Sequence, residues 1–176
     1  LTASTLLEKF GDITSSVKKS GVKKIDQAYV VVEGGNNLAM SKTTGLSIIE
    51  LSNYFSKVRP DIVVTIGDRY ETLATAVAAS YMNIRLAHIQ GGEITGSIDE
   101  SVRHAITKLA HMHFPSTKKA KKNILKMGEN RNFVFLTGCP SIDLVKNNKK
   151  SINKIKFLEN GGVGKKFDFN KPYLLV

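Results

Sequence analysis

The chain has 176 residues, 41% of them hydrophobic, which is enough to bury one globular core. No run of 18 or more apolar residues occurs, so the sequence offers no candidate for a membrane-spanning helix. The formal net charge of +11 admits a nucleic-acid partner. However, much of the lysine lies in 118–126 and 146–166, where no base-reading motif occurs, and this favours a solvated basic surface without nucleic acid.

The N-terminal ten residues and the cysteine content bear on the compartment. Residues 1–10 (LTASTLLEKF) lack a basic region that leads into an apolar one, and they lack an initiator methionine. Cys139 is the single cysteine, so the chain cannot form an internal disulfide. These features predict a soluble cytoplasmic protein.

Short apolar runs rich in β-branched residues alternate with helical patterns along the chain. Such runs are typical of strands in a parallel sheet that helices cover on both faces. The predicted strands are 27–33, 61–66, 84–89, 112–115 and 133–137.

Four helices are predicted between and around these strands. The first has Ser41 as its N-cap and ends before Pro60. The second covers 70–82 and is rich in alanine. The third covers 97–111 and opens on a capping-box pattern from Ser97 to Glu100, and the fourth covers 118–127 and ends at Gly128.

Alternation of strands and helices predicts an α/β fold with a Rossmann-like, doubly wound parallel sheet. We assign residues 1–145 to this domain and the Lys-, Asn- and Gly-rich residues 146–170 to a linker. Residues 171–176 (KPYLLV) are predicted to begin the first strand of a truncated second domain.

Two predicted strands are followed by loops rich in charged residues and glycine. One loop begins GDRYE at residue 67, and the other runs QGGEITGSIDE from residue 90 to residue 100. Ligands of open α/β sheets bind at the carboxyl ends of the strands, so the two loops are candidates for one crevice. Its acidic residues are Asp68, Glu93, Asp99 and Glu100, which suit proton transfer, and its cations are Arg69 and Arg103.

Each of these residues also has a purely structural interpretation. Asp68 can cap the helix that follows its strand, and Glu100 can complete the capping box with Ser97. Asp99 can pair with Arg103 one helical turn later, and Gly91 with Gly92 can form only a tight turn.

The histidines do not form a metal-binding pattern. His104, His111 and His113 lie close in sequence, but no carboxylate has the spacing of a zinc-protease motif, so no metal site is predicted. His88 lies inside an apolar strand, which favours a hydrogen-bonded core or crevice residue over a metal ligand.

Residues 59–144 closely resemble the UDP-N-acetylglucosamine 2-epimerase family, and a weaker similarity extends back to about Ser4. The resemblance is carried by GDR at 67–69, HIQGGE at 88–93, IDESVRH at 98–104 and TGCPSID at 137–143. It is closest to the hydrolysing branch, because the Thr-rich and PEExxR segments usual in the non-hydrolysing branch do not occur.

The resemblance implies the N-terminal half of a two-domain, GT-B-like fold without its first strand, from an enzyme that is a homo-oligomer at full length. It implies a nucleotide-sugar substrate and no redox cofactor. The base site and most uridine-diphosphate contacts are expected in a C-terminal domain outside this sequence, so these 176 residues alone are expected to be inactive.

The resemblance also implies roles for individual residues. Proton transfer falls to Asp68 and Asp99, with Glu93 as a further candidate. The other residues assigned to the substrate site are Arg69, Gln90, Gly92, Glu100, Arg103 and His104. Arg103 and His104 are expected to order the start of the helix beneath the site.

The sequence departs from the family pattern at two positions. Many relatives have a glutamate, a catalytic candidate, where this chain has Gln90, and many have a histidine where it has Ile66. Glutamine cannot act as a base, so either Glu93 takes over, or Gln90 only orients the substrate, or the subgroup acts on another sugar. The substrate expected first is UDP-N-acetylglucosamine, giving N-acetylmannosamine for sialic acid-type sugars.

Alternative functions stay open at this point. A diacetamido sugar nucleotide of the legionaminic acid pathway is the alternative substrate. A GT-B glycosyltransferase shares the fold class, and a non-catalytic nucleotide-sugar-binding module is compatible with Gln90.

Overall fold

The computed structural model describes residues 3–7, 9 and 11–147. Its contacts divide the chain into two units, Leu1–Cys139 and Pro140–Val176. The predicted linker after residue 147 and the predicted final strand lie outside the described residues. In the second unit the described part is one helix, Pro140–Asn147 (α6).

The first unit alternates helices and strands. A 3-10 turn at Ala3–Leu6 precedes the first helix. The helices are α1 (Ile13–Lys19), α2 (Asn37–Val58), α3 (Tyr70–Tyr81), α4 (Ile98–Leu109) and α5 (Lys118–Lys126). The strands are β1 (Ile62–Ile66), β2 (Arg85–Ile89) and β3 (Met112–Phe114).

Within the described residues the strands form one parallel sheet in the order β1-β2-β3. Ile66 pairs with Ile89, and Ile89 pairs with Phe114, so the carboxyl ends of the strands are aligned. The predicted α/β class with a parallel sheet is confirmed. No described helix is long and apolar enough to cross a membrane.

A large part of the core lies on one face of this sheet. Val63 and Leu86 point into a buried cluster with Phe55 of α2 and Ile106 of α4. Small alanines of α3 complete this cluster, which lets the helix approach the strands closely. On the other face of β1, Ile62, Val64 and Ile66 are 42–57% exposed in the described structure.

Two of the predicted strands, 27–33 and 133–137, do not form regular strands in the structure. Residues 27–33 carry a single bridge at Ala28 and otherwise lack a ladder, although Val32 N donates to Thr43 Oγ1 of α2 (2.9 Å). Residues 131–133 form a 3-10 turn, and Val134 makes an isolated parallel bridge to His113. Phe135 N donates to His113 O (2.8 Å), so the segment follows β3 without a full ladder.

The predicted helices were correct in type, but two N-termini were wrong in detail. Helix α2 begins at Asn37, because the Asn36 side chain accepts from Ala39 N (2.9 Å); Ser41 therefore lies inside the helix. At α4, Ser97 is the N-cap residue but makes no side-chain capping bond. Glu100 accepts instead from the main-chain nitrogens of Thr95 (2.7 Å) and Gly96 (2.6 Å), so no capping box forms.

Candidate active site

The loop after β1 begins with a tight turn. Gly67 has φ of +75°, a left-handed conformation that favours glycine, and its nitrogen donates to Ile89 O at the end of β2 (3.0 Å). The N-cap residue of α3 is Arg69, which makes no side-chain capping bond. The capping role considered for Asp68 is therefore wrong, and its carboxylate faces another partner.

That partner is Arg103, from the second turn of α4. Its guanidinium pairs with Asp68 Oδ2 and also donates to the main-chain oxygen of Glu93 (2.6 Å). The Arg103 side chain is 6% exposed and that of Asp68 is 28% exposed. One buried cation thus joins α4 to the loops after β1 and β2 and leaves the carboxylate within reach of solvent. The alternative pairing of Asp99 with Arg103 is not observed.

The loop after β2 is shaped by close packing at its two glycines. A Cβ on Gly91 would lie 2.9 Å from both His88 Nδ1 and Thr107 Oγ1. A Cβ on Gly92, where φ is +82°, would lie 2.4 Å from the main-chain oxygen of Ala120. The glycine pair therefore does more than turn the chain: it lets the loop approach α4 and α5.

Two side chains of the α5 region hold this loop in place. Asn123 Nδ2 donates to Gly92 O (2.9 Å), and Thr117 Oγ1 donates to Glu93 Oε1 (3.3 Å). Thr117 is also the N-cap of α5, and its oxygen accepts from Ala120 N. The sequence analysis missed Asn123, Thr117 and Thr107; the paired glycines were the available signal that another element passes close by.

Gln90 occupies a strained backbone position between β2 and the glycines. Its φ is +63°, which a non-glycine residue adopts at some energetic cost. Its main-chain nitrogen donates to Phe114 O (3.0 Å), and its side-chain amide donates to Cys139 Sγ (3.6 Å). The side chain is partly buried at the carboxyl ends of the strands.

The remaining predicted residues are distributed around this core of the site. Arg69 is 62% exposed and makes two bonds to Glu71 (3.0 and 3.1 Å). Asp99 is exposed in the first turn of α4, and in the described structure it makes no hydrogen bond or ion pair. The Nε2 atom of His104 is buried and has no hydrogen-bond partner among the described residues.

The electrostatic environment separates these groups further. Burial lowers the pKa of His88 to about 4, which keeps its imidazole neutral at neutral pH. Hydrogen bonds from the main-chain nitrogens of Gly96 and Thr95 lower the pKa of Glu100. Glu100 is thus an ionised anchor for the turn before α4, whereas the carboxylate that meets Arg103 is that of Asp68.

A second charged cluster lies at the opposite ends of the helices. Glu129 accepts from Lys108 Nζ (2.5 Å) and contacts His113 Nε2 (3.2 Å). Its side chain is 13% exposed, and Lys108 lies in the last turn of α4. Across residues 3–7, 9 and 11–147, no group of three or more His, Cys, Asp or Glu side chains is arranged to hold a metal ion.

Comparisons with known proteins identify the family. The family model for UDP-N-acetylglucosamine 2-epimerase matches residues 1–176. The UDP-N,N'-diacetylbacillosamine 2-epimerase (hydrolyzing) of Legionella pneumophila is 34% identical over 146 residues, which cover 83% of this chain and 39% of that protein. The GDP/UDP-N,N'-diacetylbacillosamine 2-epimerase (hydrolyzing) of Campylobacter jejuni is 35% identical over 158 residues, 87% of this chain and 41% of that protein.

Solved structures give the same result. The Neisseria meningitidis UDP-GlcNAc 2-epimerase bound to UDP-GlcNAc superposes with a TM-score of 0.70 at 26% identity, over 86% of this chain and 41% of that one. The predicted Rossmann-like half of a GT-B-like fold is confirmed. The chain spans about 40% of the length of these relatives. By its sequence and its fold, this chain belongs to the UDP-N-acetylglucosamine 2-epimerase family.

Proposed function

We propose that this chain supplies the proton-transfer residues of a hydrolysing 2-epimerase that converts UDP-N-acetylglucosamine and water to UDP and N-acetylmannosamine. The observation that carries the proposal is the Arg103 guanidinium, which holds the Asp68 carboxylate beside the Glu93 main chain at the carboxyl ends of the strands. Ligands of open α/β sheets bind at this edge.

The proposed reaction has two steps. A base removes the proton from C2 of the sugar, the C1–O bond to the diphosphate breaks, and UDP leaves with the bonding electron pair. Water then adds across the C1–C2 double bond, so that hydroxide joins C1 and a proton joins C2 on the opposite face. The chemistry needs proton-transfer groups on both faces of the ring and no redox cofactor.

Asp68 is our candidate for one proton-transfer group, because Arg103 fixes its orientation and it is still partly exposed. Glu93 and Asp99 are the candidates for the other group. Thr117 orients the Glu93 carboxylate, whereas Asp99 is free to turn toward a bound sugar. With a glutamine at position 90, we assign Gln90 to orienting the substrate, together with Arg69 and Gly92.

The remaining assignments are supporting ones. Arg103 joins the two loops, Glu100 fixes the turn before α4, and His104 places a buried nitrogen on the same helix. We propose that residues 146–170 link this domain to a second domain, that residues 171–176 begin the second domain, and that the second domain supplies most nucleotide contacts. The active full-length protein is proposed to be a homo-oligomer.

A diacetamido sugar nucleotide is the second candidate substrate. The observation in its favour is that both hydrolysing relatives described above are named for N,N'-diacetylbacillosamine. The two candidates differ at C4 of the sugar, which carries a hydroxyl in one and an acetamido group in the other.

The test uses the full-length protein in deuterated water, followed by proton NMR. Each sugar nucleotide is supplied separately, and the free sugar, free UDP and deuterium at C2 are measured. A free, C2-inverted sugar with deuterium at C2 from UDP-N-acetylglucosamine supports the first candidate. The same result only from the diacetamido substrate supports the second, and a C2-inverted sugar still linked to UDP would reject the hydrolysing reaction.

A further inference from the structure

His88 lies in β2, is fully buried and has a partner at each ring nitrogen. Its Nε2 atom is 2.8 Å from Gly67 O, and its Nδ1 atom is 3.1 Å from Thr107 Oγ1. Gly67 directly precedes Asp68, and Thr107 lies one helical turn after Arg103 on α4. The ring therefore contacts the residue before Asp68 and a side chain one helical turn from Arg103.

The chemistry of the partners fixes the tautomer. A carbonyl oxygen only accepts, so Nε2 must carry the proton that it donates to Gly67. Nδ1 is then an acceptor, 3.1 Å from the Thr107 hydroxyl, and the single proton of that hydroxyl is donated either to Nδ1 or to Arg103 O (3.0 Å). Because burial lowers the pKa of His88 to about 4, the ring is neutral at neutral pH.

The ring also has little freedom to move. Gly91 packs so closely that a Cβ there would lie 2.9 Å from His88 Nδ1 and 3.1 Å from Cε1. Gly67 makes a second hydrogen bond to β2, because its main-chain nitrogen donates to Ile89 O (3.0 Å). The main chain before Asp68 is thus set by two bonds to β2, one from the backbone and one from the imidazole.

We propose that His88 is a positioning residue, whose Nε2–H group sets the main chain of Gly67 and thereby aligns the Asp68 carboxylate with Arg103. The proposal rests on the proposed function, in which Asp68 transfers a proton. His88 itself does not contact the substrate. Its effect is expected in kcat, because a displacement of about 1 Å at a reacting group costs on the order of a hundred-fold in rate.

Two substitutions separate the two hydrogen bonds. The amide nitrogen of glutamine can reach the place of Nε2, whereas the shorter asparagine can reach only the place of Nδ1. In the full-length protein we expect His88→Gln to retain kcat within about five-fold and His88→Asn to lose about thirty-fold or more, with KM within about three-fold for both. Equal losses in the two variants, or a better asparagine variant, would overturn the proposal.

Gly91→Ala gives an independent approach that leaves the imidazole in the sequence. Its new methyl group meets His88 Nδ1 and Thr107 Oγ1, so the ring must shift and kcat is expected to fall about ten-fold or more. Thermal unfolding of each variant identifies any that fails to fold. A folded Gly91→Ala protein with unchanged kcat would contradict the proposal.

A spectroscopic measurement keeps the proposal separate from the proposed function. In protein with carbon-13-labelled aspartate carboxyls, assigned through Asp68→Asn, His88→Asn should shift the Asp68 signal and His88→Gln should leave it nearly unchanged. This outcome does not depend on substrate. If no sugar nucleotide is turned over, the proposed function fails, and the positioning role is still decided by the Asp68 signal. An identical Asp68 signal in wild type, His88→Asn and His88→Gln would reject the positioning role.

Discussion

The two ends of helix α4 carry the same kind of ion pair in different settings. Near its N-terminus Arg103 pairs with Asp68, and in its last turn Lys108 pairs with Glu129. A buried histidine lies near each pair: His113 contacts Glu129 directly, whereas His88 bonds the main chain next to Asp68. These two histidines are in register on neighbouring strands. The ingredients of the two clusters are therefore nearly identical.

The difference lies in access and in what each carboxylate holds. Glu129 is 13% exposed and bridges Lys108 and His113, whereas Asp68 is 28% exposed in a loop that follows a strand. A carboxylate with two partners stabilises the fold, and one held from a single side can still reach a ligand. We infer that the Asp68–Arg103 pair carries the chemistry and that the Lys108–Glu129 pair carries stability.

The largest effect is expected from Arg103→Met. The substitution leaves the Asp68 carboxylate and the Glu93 carbonyl without their shared donor. The free energy of unfolding should therefore fall by about 3–5 kcal/mol, as it does when one partner of a buried ion pair is removed. We expect kcat to fall about a hundred-fold or more. Urea unfolding and steady-state kinetics of the full-length protein measure both quantities.

Arg69→Met is the matched control for this prediction. The Arg69 side chain is 62% exposed, whereas its partner Glu71 is 9% exposed, so we expect a smaller loss of stability, about 1–2 kcal/mol. If the two arginine variants lose the same stability, the assignment of Arg103 as the central tie of the site is wrong.

The next effect concerns the close approach of the loop after β2 to α5. Gly92→Ala combines a left-handed backbone with a Cβ that would lie 2.4 Å from Ala120 O. We expect the stability of the fold to fall by about 3 kcal/mol. Gly96→Ala has a similar φ of +75° but open space around the new atom, so about 1 kcal/mol is expected. Thermal unfolding compares the pair; equal losses would show that backbone strain alone is responsible.

A third prediction compares the two histidines in acid. The pKa of His88 falls from 6.5 to about 4 on folding, so the unfolded chain binds a proton first and stability declines as the pH drops through this range. Between pH 7.5 and 5 the loss should be about 2 kcal/mol, and His88→Gln should remove it.

The pKa of His113 is also lowered by burial, but Glu129 opposes the shift, so His113→Gln should remove less acid sensitivity. The test is the urea midpoint of each variant as a function of pH. An acid response that is the same in wild type and His88→Gln would show that His88 is not the neutral buried group described here.

The smallest effect is expected from Glu129→Gln at the opposite end of α4. The charge is lost but the amide oxygen can still accept, so we expect a loss of about 1–2 kcal/mol in stability. Because Glu129, within the described residues, bonds only Lys108 and His113 and makes no bond to Asp68, Glu93 or Arg103, kcat should stay within about two-fold of wild type. A kinetic defect with unchanged stability would reverse the comparison.

Much of this arrangement could be predicted from the sequence. The charged loops after residues 66 and 89 follow apolar runs, and parallel strands align such loops at one edge. Asp68, Glu93 and Arg103 were identified in this way, and the structure joins them. The helices were predicted in type because their periodicity and boundary residues agree.

The rest depended on contacts that a local pattern does not contain. Arg103 has acidic residues near it in sequence, yet its partner Asp68 is 35 positions away. Glu100 bonds two main-chain nitrogens before Ser97, which a capping-box pattern does not anticipate. The apolar run at 27–33 has the composition of a strand, but the described residues supply no ladder for it.

The most direct test of the central claim is the rate of deuterium incorporation at C2 of the sugar, measured in parallel for Asp68→Asn and Glu129→Gln of the full-length protein. The account predicts incorporation at nearly the wild-type rate in Glu129→Gln and a loss of about a thousand-fold or more in Asp68→Asn. Undiminished incorporation in Asp68→Asn, or an equal loss in both variants, would contradict it.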